Sequence, residues 1–145
     1  MKKWEFDIVV VSGGFDPLHV GHTRMIKNAY RRGHHVIVGI NSDEWLKRKK
    51  GYVFMPWEER AEIISSLRGV FEVMPFDDSD NSACDLLTKI SKKYPVDSIA
   101  FANGGDRNYD NIPEISVAKI YGIGLIWEVG GGKIQSSSDL VNKML

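Results

Sequence analysis

Apolar residues gather in four short runs along the chain, at 8–11 (Ile-Val-Val-Val), 36–40, 99–102 and 125–129, with a weaker fifth at 70–75. Nearly unbroken runs of this length, rich in β-branched residues, predict strands covered on both faces, as in parallel sheets. The segments between them are longer and amphipathic. Residues 19–32 follow Pro17 and stop at Gly33, a common helix end. Residues 56–67 put a proline in the first turn and Ala61, Ile63, Ile64 and Leu67 on one apolar face. Residues 83–92 and 113–121 are further predicted helices, and a last one runs from Ser137 or Ser138 to the end. Alternating strands and helices predict an α/β fold, a single doubly wound domain over residues 1–145 with a mainly parallel five-stranded sheet. Such sheets bind ligands beyond the carboxyl ends of their strands, where the strand order reverses. The loops after Val11, Ile40 and Ala102 would therefore share one rim.

Composition narrows the function classes. The 145 residues carry 19 Lys plus Arg against 19 Asp plus Glu, a formal charge of zero. That balance argues against a dedicated nucleic-acid binder or membrane-surface protein. Cys84 is the one cysteine, so neither an intrachain disulfide nor a cysteine-rich metal site can form, in keeping with a reducing cytoplasm. No apolar stretch approaches the roughly 20 residues that span a bilayer, and the run at 8–11 is too short for a signal-peptide core.

The rim loops carry the unusual residues. Ser12-Gly13-Gly14 follows the first predicted strand, and glycines there let backbone N–H groups approach a phosphate. The next helix aims its partial positive charge at the same place. His19 and His22 stand three apart, a helical spacing that puts both imidazoles on one face, with Gly21 leaving room between them. Two imidazoles there can donate hydrogen bonds to phosphate oxygens and follow charge that builds on them. Strand, glycine turn and helix also occur in many folds with no ligand. The pattern is neither G-x-G-x-x-G nor a Walker A loop, and no third ligand has metal spacing. Lys47-Arg48-Lys49-Lys50-Gly51 follows the second strand and a short helix. It is either a solvated charge run or a source of cations for a transferred phosphoryl group. Arg60 either binds an anion or pairs with an acid such as Glu59 or Asp43. Gly104-Gly105-Asp106 after the fourth strand reads as a turn or as a hydrogen-bonding site for a ribose. Ser136, Ser137 and Ser138 can cap a helix and bind phosphate together. Asp77-Asp78-Ser79-Asp80 reads as a solvated turn, and His34 and His35 as solvent-facing.

The run Gly13-Gly14-Phe15-Asp16-Pro17-Leu18-His19-Val20-Gly21-His22 resembles the G-x-F-D-x-x-H-x-G-H signature of the cytidylyltransferase-like nucleotidylyltransferases, and all six specified positions match. The resemblance extends from Val10 to Leu140. It implies a Rossmann-like fold in which His19 and His22 bind the nucleotide phosphates and stabilise the transition state. Gly13, Gly14, Phe15, Asp16 and Gly21 would shape that loop. Lys47 and Lys50 would stand in the family's lysine loop over the triphosphate, and Pro56-x-x-x-Arg60 would bring Arg60 to a substrate phosphate. Asp106 would reach the nucleotide, as would Lys133 with Ser136, Ser137 and Ser138. At this last element the chain departs from the family, with Lys133 nearest to where an arginine is usual and serines in place of threonines.

The implied reaction transfers a nucleoside monophosphate from a nucleoside triphosphate to a sugar or polyol phosphate, with release of pyrophosphate. Mg²⁺ would arrive with the triphosphate, and the enzyme would be a cytoplasmic homodimer. The motifs resemble those of glycerol-phosphate cytidylyltransferases and of heptose-phosphate nucleotidylyltransferase domains, which sets CTP slightly ahead of ATP. The rivals are an ATP-using adenylyltransferase for heptose phosphate or a cofactor precursor, and a nucleotide-binding module without catalysis.

Overall fold

The structure, a computed structural model, describes residues 4–103 and 112–127. In chain order the elements are β1 (Phe6–Gly13), α1 (Val20–Arg32), β2 (Gly33–Ile40), α2 (Asp43–Lys50), α3 (Trp57–Ser65), β3 (Val70–Met74), α4 (Cys84–Lys93), β4 (Ile99–Ala102), α5 (Ile115–Tyr121) and β5 (Gly124–Ile126). The strands form one sheet in the order β3-β2-β1-β4-β5, and every pairing is parallel.

The β1 sequence explains why the sheet is covered twice. Val9 and Val11 face a core with Ile26 and Ala29 of α1 and Ile64 of α3. Ile8 and Val10 face a second core with Leu86, Leu87 and Ile90 of α4 and Ala118 of α5. Alternate side chains of one strand thus enter opposite layers. All four residues are buried, which is why the run reads as continuously apolar rather than alternating. Chain order reverses between β1, whose next strand is β2, and β4, whose next strand is β5. The crevice of a doubly wound sheet opens at such a point.

Local chemistry sets the α2 ends. Ser42 Oγ accepts from Trp45 N at the N-cap, Asp43 and Glu44 occupy the first turn, and Gly51 closes the helix at φ 87°. Gly33 ends α1 as expected, its N–H donating to Ala29 O, and with φ −126° it leads straight into β2. Its smallness serves packing, since a Cβ there would sit 2.5 Å from Val9 Cγ2. The fifth strand begins at Gly124, one residue before the run at 125–129. The expected C-terminal helix lies outside the described residues.

Candidate active site

The site begins where β1 ends. Phe15 is buried with φ 52°, an uncommon conformation for a bulky residue. Its ring meets His22 edge-on at 4.8 Å between centroids. His19 is the N-cap of α1 and His22 its third residue. His19 Nδ1 accepts from Gly21 N at 3.1 Å, and His22 Nδ1 accepts from His19 N at 3.2 Å. These bonds assign the tautomer: with Nδ1 accepting, each neutral ring carries its proton on Nε2. The rings stack at 3.8 Å. A Cβ on Gly21 would sit 2.9 Å from His19 Cε1, so the room left by this glycine is taken by the His19 ring. Burial lowers the His22 pKa to about 3, with His19 and Lys50 adding to the effect. Partial burial, then Lys50, lowers that of His19. At neutral pH both rings are uncharged hydrogen-bond donors at the amino end of a helix.

Lys50 is the cation nearest this pair in effect. Its ammonium donates to Asp16 O at 2.9 Å. Its pKa is lowered, mainly by desolvation, with Asp16 opposing and Lys49 and Arg60 reinforcing the shift. Lys47 is exposed. The basic run forms the last turns of α2 instead of a loop after a helix, so the lysines are held on a rigid element.

Asp16 and Arg60 brace the site from inside. The Asp16 carboxylate is fully buried and accepts from Phe54 N at 2.7 Å and Met55 N at 2.6 Å. It orders the first loop against the segment before α3. Arg60, expected either at a substrate phosphate or paired with an acid, is 1% exposed. Its Nε donates to Met55 O, its Nη1 to Gly14 O and Asn41 O, and its Nη2 to Asp43 Oδ1. The Asp43 pairing, one of the two alternatives open from the sequence, is what forms. Gly13 O accepts from Asn41 N, so both glycine carbonyls turn inward. A Cβ on Gly14 would lie 3.0 Å from Leu46 Cδ2 of α2.

Beside the glycines lies a cleft of about 230 Å³ at the carboxyl ends of β1, β2 and β3. Ser12, Asn41, Trp45, Ser82 and Glu114 line it along with Gly13 and Gly14. Glu114 is 1% exposed. Over Trp45, Arg48, Lys49 and Asn81 there is a wider outer recess of about 360 Å³. Of the inner wall, sequence reasoning singled out Ser12, Gly13 and Gly14 but not Asn41, Trp45, Ser82 or Glu114. Asn41 and Ser42, directly after the second apolar run, were the available signal. Asp78 likewise departs from a solvated turn. It is buried, and its carboxylate accepts from Asn41 Nδ2, Ser42 N and Ser42 Oγ. Trp57 donates from Nε1 to Ile40 O. His34 and His35 sit at the start of β2, in a stacked row with Trp4 and Phe71.

Asp106, Lys133, Ser136, Ser137 and Ser138 lie outside the described residues. Among the described residues, no cluster of three or more His, Cys, Asp or Glu could hold a metal ion. Nor is any helix there long and apolar enough to cross a membrane.

Comparison with known proteins agrees with this geometry. Residues 10–123 match the family model described as cytidylyltransferase-like. A bifunctional protein HldE from Photorhabdus laumondii is 36% identical over 111 residues, 68% of this chain and 23% of that protein. An FAD synthase from Pyrococcus abyssi is 37% identical over 103 residues, 70% of this chain and 65% of that protein. The chain therefore spans about a quarter of the first relative and just under two thirds of the second. A bifunctional NMN adenylyltransferase/ADP ribose pyrophosphatase from Francisella tularensis, complexed with AMP and a manganese ion, superposes with a TM-score of 0.69. It is 21% identical, and the match covers 95% of this chain and 41% of that one. With the family model spanning most of the chain and the parallel sheet presenting Gly13 to His22 at its switch point, the chain belongs to the cytidylyltransferase-like family of nucleotidylyltransferases.

Proposed function

We propose that this chain transfers a nucleoside monophosphate from a nucleoside triphosphate to a phosphorylated sugar or polyol. An acceptor phosphate oxygen attacks the α-phosphorus in line. A new P–O bond forms as the bond to the β-phosphoryl oxygen breaks, and pyrophosphate leaves. The observation that carries this reading is the neutral, stacked His19–His22 pair, whose Nε2–H groups make no hydrogen bond among the described residues. Donors held in place before the reaction stabilise charge on phosphate oxygens without reorganising. Lys50 supplies positive charge beside them, with Lys47 a second cation on the same helix. Arg60 holds the loops and does not touch the substrate. Asp106, Lys133, Ser136, Ser137 and Ser138 are proposed to complete the nucleotide site.

A divalent cation, Mg²⁺ or Mn²⁺, is proposed to enter with the nucleotide and neutralise phosphate charge. The donor set fits this arrangement. Asp16 is engaged by two backbone amides, so the triphosphate and water would supply most ligands, as Mg²⁺ favours. CTP is the first donor to test. ATP is the second reading, favoured by the adenylyltransferase and FAD synthase names among the relatives. A cytoplasmic homodimer completes the proposal, and light scattering checks the dimer.

The test is pyrophosphate release. The protein is incubated with Mg²⁺, each nucleoside triphosphate in turn, and a panel of sugar and polyol phosphates. Release with one pair is expected, and His19→Ala should lower turnover by about a hundredfold or more, with a melting temperature lowered only by the few degrees that loss of the α1 N-cap costs. Tight nucleotide binding without release from any pair would leave a binding module instead. Wild-type turnover in His19→Ala would remove the mechanism.

A further inference from the structure

The transfer chemistry uses His19, His22 and Lys50 and leaves one polar pair at the switch point unused. The β1–β4 register sets Ile8 beside Ile99 and Val10 beside Phe101. Continued by two residues, it sets Ser12 beside Asn103. Val10 and Phe101 both belong to the core under α4 and α5. Side chains alternate along a strand, so Ser12 and Asn103 share that face. Asn103 N donates to Ile126 O at 2.8 Å, which carries the β4–β5 ladder one residue past Ala102. Backbones of neighbouring strands run about 4.8 Å apart. The two side chains therefore stand abreast where the crevice between β1 and β4 opens.

Asn103 is 2% exposed, yet its carboxamide is only half satisfied. Nδ2 reaches Phe101 O at 3.5 Å, the outer limit of a hydrogen bond, and Oδ1 has no partner. The carbonyl of Phe101 assigns the amide, since turning it over would set oxygen against oxygen. The free atom is thus an acceptor, and what would satisfy it is a donor. Native chains leave few buried polar atoms unpaired, and each one calls for an explanation. So long a bond does not fix the terminal torsion, which is broad for asparagine, and the oxygen can turn toward the cleft. Ser12 lines that cleft beside Gly13 and Gly14, and its hydroxyl makes no hydrogen bond among the described residues. A phosphate would bring only acceptors to Asn103 Oδ1. A pair of adjacent hydroxyl groups matches both side chains, one donating to Asn103 and one bonding to Ser12.

Resting on the nucleotidylyltransferase reading, we propose that Asn103 and Ser12 hold the ribose of the nucleoside triphosphate, with Asn103 Oδ1 as the specificity-determining acceptor of one ribose hydroxyl and Ser12 Oγ bonded to the other. Place decides for the ribose over other diols. Doubly wound sheets hold nucleotides across the crevice where strand order reverses, and these two residues flank it. Ser12 adjoins the glycines of the phosphate loop in sequence, and the ribose is the part of a nucleotide next to its phosphates. Asn41, Trp45 and Ser82 line the cleft in the other direction, away from β4. The contact is blind to the base. It selects ribonucleotides over deoxyribonucleotides without favouring CTP or ATP.

Equilibrium binding by calorimetry, with Mg²⁺ and without acceptor, tests this separately from turnover. The probes are CTP and ATP, the 2′-deoxy and 3′-deoxy counterparts of each, and UTP and ITP, which lack the exocyclic amine. Wild-type protein should bind its preferred ribonucleotide about tenfold or more tightly than at least one deoxy counterpart. Asn103→Leu keeps the side-chain volume and removes the amide, and should close that gap to about twofold. Asn103→Asp retains an acceptor oxygen. It should keep the gap while its charge weakens both nucleotides alike. Equal binding of ribo and deoxy probes by the wild type, or an undiminished gap in Asn103→Leu, would overturn the proposal. So would a loss in Asn103→Leu confined to discrimination against UTP or ITP, which would place a base amine at Asn103 instead. The wild-type comparison needs no variant, so it stands even if Asn103→Leu folds poorly. Ribose discrimination without pyrophosphate release from any triphosphate would sustain the contact and sink the transferase reading. Release accompanied by no ribose discrimination would do the reverse.

Discussion

Neutral histidines in place of imidazolium ions define this site at the scale of single residues, and that has a consequence for stability. The His22 pKa is about 3 in the folded chain, against an ordinary value of 6.5. Between those values the unfolded chain binds more protons than the folded one, so stability rises with pH across that window and falls on acidification. The loss is at most about 1.4 kcal/mol per pH unit for one such group. His22→Asn keeps an acceptor for His19 N and removes the proton. Its melting temperature should fall less steeply than wild type between pH 6.5 and 4. Parallel curves for the two proteins would contradict this account. Arg60 makes the second argument at this scale. Its side chain is fully buried and its partner Asp43 is 31% exposed. Arg60→Lys retains a charge but cannot span Met55 O, Gly14 O, Asn41 O and Asp43 together. The expected cost is about 3 kcal/mol, read as a lower urea midpoint. An arginine that only contacted a substrate phosphate would raise KM and leave the midpoint unchanged.

Helix α2 is the element that turns the rim into a site. It packs Leu46 against Gly14, presents Lys50 to the first loop, and places Asp43 on Arg60. Its amino end is tied down by Asp78, which takes three hydrogen bonds from Asn41 and Ser42. Asp78→Ala leaves those donors without their acceptor, at an expected cost of about 2–3 kcal/mol. An unchanged urea midpoint would show that the tether does not matter. The element scale also marks where the sequence could be read. β1, β2 and β4 were legible because a strand covered on both faces is apolar throughout, and 99–102 matches β4 residue for residue. The lysine run was misplaced because consecutive cations have no 3.6-residue period that separates a helix end from a loop. Arg60 was ambiguous because P-x-x-x-R reads the same whether the guanidinium meets a phosphate or a carbonyl. What decides is Gly14 O, 46 positions away. The cleft wall was invisible because Ser12, Asn41, Ser82 and Glu114 come together only in the folded chain.

The whole molecule presents its chemistry at one edge of a sheet, and ligand binding there should be felt by the entire fold. β1 lies at the centre of the sheet, carries the glycine loop at its carboxyl end, and supplies side chains to both cores. A ligand held by that loop stabilises the folded state and not the unfolded one. With the nucleotide at a hundred times its Kd, the expected gain is about 2.7 kcal/mol. For a chain of this size that corresponds to a rise in melting temperature of about 8 °C. Among the described residues no cluster of acids and histidines stands ready for a metal. With the cation carried by the nucleotide, as proposed, a chelator should leave the melting temperature of the free protein unchanged and abolish most of the nucleotide-induced rise. Comparing CTP with ATP in the same measurement, each with and without Mg²⁺, ranks the bases before any acceptor is known. A chelator-sensitive fold in the absence of nucleotide would place a metal in the protein itself. No rise with any triphosphate would mean that the Gly13 to His22 loop does not hold a nucleotide.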